Sequence, residues 1–298
     1  NRTGGNNHAL FDSIRGATKR LYSDSTIAEQ TEATTLTAFN SNGFSVSSSG
    51  AVNASANNYV GWQWQAGQGS SSSNTNGTIT STVSVNASAG FSVVTYTGTG
   101  VNATVGHGLG VAPSMVIVKS RSISDGWPIY HVSLTSAAYI VTLNTTNAQA
   151  SVPTVWNSTT PTSSVFSIGT STGTNTASAT YVAYCWTPIA GYSAFGSYTG
   201  NGSSDGTFVY TGFRPKWVMI KRTDTAGYDW NIVDTSRNTY NVTTSRLWAD
   251  LSNAEDSSDN VCDITSNGFK LRSTNTNTNT SGGTYIYMAF AENPFRNA

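Results

Sequence analysis

One strand-rich unit is written about two and a half times along this chain, and that recurrence limits what it can fold into. Tyr181-Val-Ala-Tyr-Cys-Trp186 returns as Tyr285-Ile-Tyr-Met-Ala-Phe290 and stands earlier as Tyr59-Val-Gly-Trp-Gln-Trp64. Thr95-Tyr-Thr-Gly-Thr-Gly100 matches Ser197-Tyr-Thr-Gly-Asn-Gly202, and Met115-Val-Ile-Val-Lys119 matches Trp217-Val-Met-Ile-Lys221. The last two copies lie about 102 residues apart, a domain-sized period well beyond the roughly 20–50 residues of a solenoid. The first copy has no counterpart of the front half. It reads either as a fragment or as a domain that a partner completes.

Val, Ile, Tyr, Trp and Phe alternate with Ser, Thr and Asn at period two, the pattern of strands with a buried face. Ser, Thr, Asn and Gly make up close to half of the chain and charged residues only 10%, so the outer faces are polar but uncharged. Asn-Gly pairs at 42–43, 76–77, 201–202 and 267–268 fall where hairpins need tight turns. About seven short strands per full unit predict an all-β protein. Its architecture is expected to be tandem antiparallel β-sandwich repeats, jelly-roll-like, two complete and one lacking its front strands.

On this division residues 1–67 are a partial sandwich, 68–89 a linker plus a strand, and 90–191 and 192–298 the complete sandwiches. The Gly/Ser-rich Gln68–Ser73 predicts a flexible joint, so the first unit is expected to swing. The other two, joined only by Pro188–Tyr192, are expected to pack together. Thr26–Ala33 and Ser252–Ser257 are each expected to form one helical turn at most.

Fifteen basic and 15 acidic residues cancel, and no basic stripe offers itself to nucleic acid. No apolar run is long enough for membrane insertion, and the amino end lacks the layout of a signal peptide. Cys185 and Cys262 stand where other copies hold other residues, so two isolated buried thiols are expected. No carboxylate pair suits glycoside hydrolysis. Tyr198 occupies the centre of Gly196-Ser-Tyr-Thr-Gly200, where a nucleophile elbow needs serine. His8, His107 and His131 have no zinc spacing. Neither a catalytic residue nor a cofactor is expected. Glu255, Asp256 and Asp259 make a weak calcium candidate, lacking the spacing of a calcium loop. Asp12 and Arg15 recur as Asp234 and Arg237, with His131 and Leu134 between, and read as ion pairs at strand ends. Glu29 recurs as Glu255, becomes Gln149 in the middle copy, and reads as a turn cap.

Trp127, Trp186, Trp217 and Trp230 hold equivalent strand positions and are expected in the core. Trp156 and Trp248 lie outside the shared pattern and are candidates for exposed contacts, suited to stacking on cell-surface glycans. Ten Asn-x-Ser/Thr sequons, at Asn1, Asn53, Asn76, Asn86, Asn102, Asn144, Asn157, Asn201, Asn241 and Asn279, are about what chance places in such a composition. They lie in turns that could accept glycans.

Four stretches resemble a repeat domain of unknown function widespread in proteins of tailed phages, aquatic ones in particular. They are His107-Gly-Leu-Gly-Val-Ala-Pro-Ser-Met-Val-Ile-Val-Lys-Ser-Arg121, Gly196-Ser-Tyr-Thr-Gly-Asn-Gly202, Tyr210-Thr-Gly-Phe-Arg-Pro-Lys-Trp-Val-Met-Ile-Lys-Arg222 and Ser266-Asn-Gly-Phe-Lys-Leu-Arg272. The ending Gly283-Thr-Tyr-Ile-Tyr-Met-Ala-Phe-Ala-Glu-Asn-Pro-Phe295 and the amino-terminal Leu10-Phe-Asp-Ser-Ile-Arg-Gly-Ala-Thr-Lys19 are similar to it too, so the likeness spans nearly the whole chain. It implies a virion or fibre-type structural protein with no reaction. In that family a strand ending in Lys precedes the segment that begins here at Asn1. The expectation is therefore a non-enzymatic structural subunit of a virion or extracellular fibre or filament. It self-associates, an adjacent subunit supplying the missing β-surface. A carbohydrate-binding host-recognition module of a phage tail fibre is the alternative.

Overall fold

Alternating side chains give the central strands two apolar faces. Along Thr180–Trp186, Val182, Tyr184 and Trp186 enter one core while Tyr181, Ala183 and Cys185 enter another. Thr284–Ala291 does the same, sending Ile286, Met288 and Phe290 one way and Tyr285, Tyr287 and Ala289 the other. Neighbouring residues of a strand point to opposite faces, so such strands must be covered on both sides. The structure, a computed structural model, describes residues 1–293; the Pro294-Phe295 ending lies outside them. It is all-β, built of antiparallel sheets packed face to face.

The largest sheet runs Ala150–Ser151, Tyr139–Thr142, Pro128–His131, Met115–Ser120, Thr180–Trp186, Phe91–Thr97, Ser81–Asn86, Ser72–Asn74. The pair Ala103–Gly106 and Val165–Ile168 covers one face of it, enclosing Val94, Val116, Phe166 and Tyr181. A second sheet runs Ser193–Thr199, Thr284–Ala291, Pro215–Arg222, Asn231–Asp234, Leu247–Trp248. It is covered by Phe208–Tyr210, Gly268–Leu271 and Cys262–Thr265, around Val218, Ile220, Phe269 and Tyr285. The amino-terminal segment supplies a small sheet, Ala9–Leu10, Lys19–Tyr22 and Gln30–Thr31, and the hairpin Leu36–Asn40/Gly43–Val46.

The faces not used within these sandwiches meet in one shared core. Leu21 comes from the first segment, Met115, Trp127 and Trp186 from the second, Trp217, Trp230 and Phe290 from the third. Trp62 and Trp64 of the first segment lie edge-on to Trp217, at 6.1 and 5.3 Å between ring centres. Three backbone hydrogen bonds of 2.9 Å close a ring around this core. Glu29 N donates to Arg121 O, Gln149 N to Thr223 O, and Glu255 N to Arg2 O. Each segment thereby touches both others.

That ring corrects the expectation that the first segment swings. Each large apolar side chain taken from water contributes about 1.5–3 kcal/mol, and detachment would expose Leu21 and uncover Trp217. Gln68–Ser73 is no free joint either, because it runs into the edge strand Ser72–Asn74. Residues 26–33 and 252–257, each expected to form one helical turn at most, form none. The amides and carbonyls of 26–31 are engaged across segments (Asp125 N to Thr26 O, Glu29 N to Arg121 O) and in the Gln30–Thr31 strand. One-turn helices stand instead at Gly50–Asn53, Pro153–Trp156 and Thr172–Asn175. Trp127, Trp186, Trp217 and Trp230 are buried, and so are the free thiols Cys185 and Cys262.

Candidate functional site

The first segment differs from the other two on its outer flank. Phe44 and Val46 are 40% and 36% exposed, whereas the residues at the same places, Phe166 and Ile168, Phe269 and Leu271, are all 0%. Phe39 is 44% exposed and its counterpart Ile264 only 1%. Behind them runs Tyr59–Trp64. Arg2 N donates to Asn58 O at 2.8 Å, a rung that matches Arg121 N to Thr180 O and Thr223 N to Thr284 O. In the other segments that rung opens a full ladder, Ser120↔Tyr181 through Met115↔Trp186 and Arg222↔Tyr285 through Pro215↔Ala291. Among the described residues no strand continues it along 59–64. Unpaired strand edges and uncovered apolar side chains invite pairing with further β-structure.

The local framework is otherwise complete. Tyr59 Oη donates to Gly50 O at 2.7 Å and accepts from Ala54 N at 2.8 Å. Tyr181 and Tyr285 make the same two bonds, with Thr172 O and Thr176 N and with Thr276 O and Thr280 N. The flank is thus a formed half of a sandwich, open on its other side.

The model of the family described as domain of unknown function DUF7483 matches residues 1–294. The chain belongs to this family. No curated protein and no solved structure matches it.

In this family member the ion pairs singled out in the sequence join segments as well as pinning strand ends. Arg15 Nε donates to Asp12 at 2.5 Å, and Tyr184 Oη of the second segment donates to the same carboxylate at 2.8 Å. Arg237 Nε donates to Asp234 at 2.6 Å, and Trp62 Nε1 of the first segment joins it at 3.1 Å. Glu29 bridges Arg15 and Arg121; Glu255 bridges Arg237 and Arg2. Burial opposes the charge on both glutamates, yet the paired guanidiniums hold their carboxyls below the usual range. These glutamates are cross-segment bridges, and the turn-cap reading is corrected accordingly. Histidine at 131 hydrogen-bonds the Tyr287 carbonyl instead, across the third junction.

Glu255, Asp256 and Asp259 do not converge on a cation position. Asp256 and Asp259 both turn to Arg246, while Glu255 faces Arg2 and Arg237. Among the described residues no three His, Cys, Asp or Glu side chains are grouped to hold a metal. Trp156 and Trp248, expected exposed, are 2% and 8% exposed. Trp156 packs edge-on against Tyr130 and Phe166, and Arg246 covers the Trp248 ring. Of the sequons, Asn53, Asn76, Asn102, Asn157, Asn201 and Asn241 are exposed, Asn86 and Asn144 half-buried. Asn1 is buried. Asn279 is wholly buried, its amide donating to Asn201, Ser203 and Ser273, which leaves no room for a glycan in the folded chain.

Two lysines escaped the sequence reading of function. Lys119 Nζ donates to Thr26 O and Asp125 O at 2.8 and 2.7 Å; Lys221 Nζ donates to Thr146 O and Tyr228 O at 3.2 and 2.5 Å. Each ammonium thus ties the carbonyl of the preceding segment to its own. Burial pulls both down to about 8. Their recurrence at the end of equivalent strands was the available signal.

Proposed function

We propose that this protein is a non-enzymatic structural subunit of an extracellular or virion fibre or filament, assembling through β-rich contacts at the open flank of its first segment. The observation that carries this reading is the exposure of Phe39, Phe44 and Val46 beside a strand segment without a ladder, where the two equivalent sites are closed. The uncharged Ser/Thr/Asn surface suits a body built by subunit packing, and the phage-type origin rests on the resemblance alone. Self-association is the partner class that follows; nucleic acid and membrane insertion have no feature in their favour. A glycan-binding module has lost the stacking faces of Trp156 and Trp248 that recommended it.

Sedimentation velocity over a concentration series, followed by electron microscopy of the concentrated chain, tests the proposal. Concentration-dependent oligomers that chain into fibres are expected. A monodisperse monomer at every concentration would contradict it.

A further inference from the structure

Two of the three junctions are closed by the same pair of side chains, and the remaining one is not. Between the first and second segments Arg121 donates twice to Glu29 at 3.0 Å. Between the third and the first, Arg2 donates twice to Glu255, at 2.8 and 2.7 Å. Between the second and third segments the equivalent positions hold Thr223 and Gln149. The long guanidinium arm is missing there, and a cleft of about 350 Å³ stands in its place. Small-molecule sites span roughly 300–1,000 Å³, so this one suits a compact ligand.

One wall of the cleft is a sheet face. Ser197 lies opposite Ile286 and Thr199 opposite Thr284, and side chains at paired or alternate positions share a face. Thr223 adjoins them, its Oγ1 3.1 Å from that of Thr284. The opposing wall comes from the second segment, as Ser133, Thr135 and Gln149. Gln149 Oε1 accepts from Thr135 N and Oγ1 at 3.0 and 3.1 Å, which fixes its amide. The NH2 of that amide and the hydroxyls of Ser133, Ser197 and Thr199 bond none of the described residues. Ser197 also turns its backbone N–H and C=O to the free strand edge. Ladder bonds fall at alternate residues, and Gly200 N donates to Gly283 O. The equivalent Thr95 meets Thr82 at that edge, but no described strand lies beside Ser197.

None of the residues lining the cleft is charged. A phosphate or carboxylate would give up its hydration with no cation to meet it, and an ammonium would find no carboxylate. An apolar ligand would strand the hydroxyls and the amide. Hydroxyls both donate and accept, so a ligand that is a neutral array of hydroxyls can replace water on these groups bond for bond. A protein strand fits less well, because the free edge is short. Ser193 N already donates to Ile189 O, and Thr207 Oγ1 to Thr199 O.

We propose that this cleft binds a neutral saccharide unit. Gln149 NH2 and Ser197 N–H donate to its oxygens, while Ser197 O and the hydroxyls of Ser133 and Thr199 receive its O–H groups. The site shares no residue with the open flank of the first segment. It does not rest on the assembly reading, and either can fail alone.

The labelled full chain, applied to an array of neutral and acidic oligosaccharides with each hit then titrated by calorimetry, is the test. Neutral glycans are expected to bind, and sialylated or uronic ones to be refused. Thr223→Arg with Gln149→Glu writes into this junction the pair that closes the other two. It should abolish binding while the melting temperature holds or rises. Ser197→Ala removes one exposed hydroxyl and should weaken binding about three- to tenfold, the worth of a neutral hydrogen bond. It decides alone if the double variant is destabilised. No neutral hit, equal binding of acidic glycans, or binding that these variants leave unchanged overturns the proposal. A peptide of residues 78–86 that protects the Ser197 amide from hydrogen–deuterium exchange, when no saccharide does, would give the cleft to a protein strand instead.

Discussion

Arg15 shows at the scale of one residue why the charged positions change together. Its side chain is fully buried between Asp12 and Glu29, with Arg121 closing the set. At the third junction, between the second and third segments, the four equivalent positions hold His131, Leu134, Gln149 and Thr223, none of them a carboxylate or guanidinium. Removing one partner of a buried ion pair strands the others and costs about 3–5 kcal/mol, whereas replacing a whole set can be neutral. Arg15→Leu alone is therefore expected to lower unfolding free energy by that amount in urea. The quadruple Asp12→His, Arg15→Leu, Glu29→Gln, Arg121→Thr should lose much less; equal losses would refute the coupling. Asp250 offers a second test. Burial pushes its carboxyl up to about 7, with Asp229 adding to the rise and the Trp230 amide and Lys221 opposing it. A raised acid stabilises the fold fully below its unfolded value and loses that contribution as pH climbs from about 4 through 7. Asn144 fills the equivalent position and accepts from Trp127 N, so Asp250→Asn is accommodated. Its unfolding free energy should rise relative to the parent between pH 4 and 7; parallel pH profiles would argue against a protonated Asp250.

At the scale of elements, Tyr59–Trp64 and its two counterparts form a built-in comparison. Thr180–Trp186 is laddered on both sides, by Met115–Ser120 and Phe91–Thr97. Phe44→Asp places a charge on the open flank, where a Cβ on Gly61 would stand 3.3 Å from the Phe44 ring and Phe44 is 40% exposed. It should abolish concentration-dependent association in sedimentation while leaving the melting temperature within a few degrees; unchanged association would remove this flank from assembly. The strands, their turns and the four core tryptophans were legible because period-two alternation and Asn-Gly pairs are local signals. Trp156 and Trp248 were misread because they stand outside the shared pattern, and their covers, Tyr130 and Phe166 for the one and Arg246 for the other, are brought to them only by the fold. Asn279 matched a glycan acceptor in sequence, yet it is the latch of a turn nearly eighty residues away.

Across the whole molecule, the shared core makes three segments one body. Trp62 to Asp234, Tyr184 to Asp12 and Lys221 to Thr146 join residues far apart in sequence, which is why a Gly/Ser-rich stretch suggested a hinge that the fold does not contain. Unfolding followed by tryptophan fluorescence and by far-ultraviolet circular dichroism should coincide in one transition; an early, separate loss of the first segment would restore the hinge. Within that body one flank is open among the described residues, and the account stands on its being the assembly surface. Hydrogen–deuterium exchange of the Tyr59–Trp64 amides, in the dilute chain and in its assembled form, tests this most directly. The account predicts fast exchange when dilute and, on assembly, slowing toward the rate of Thr180–Trp186. Equally fast exchange in both states would contradict it.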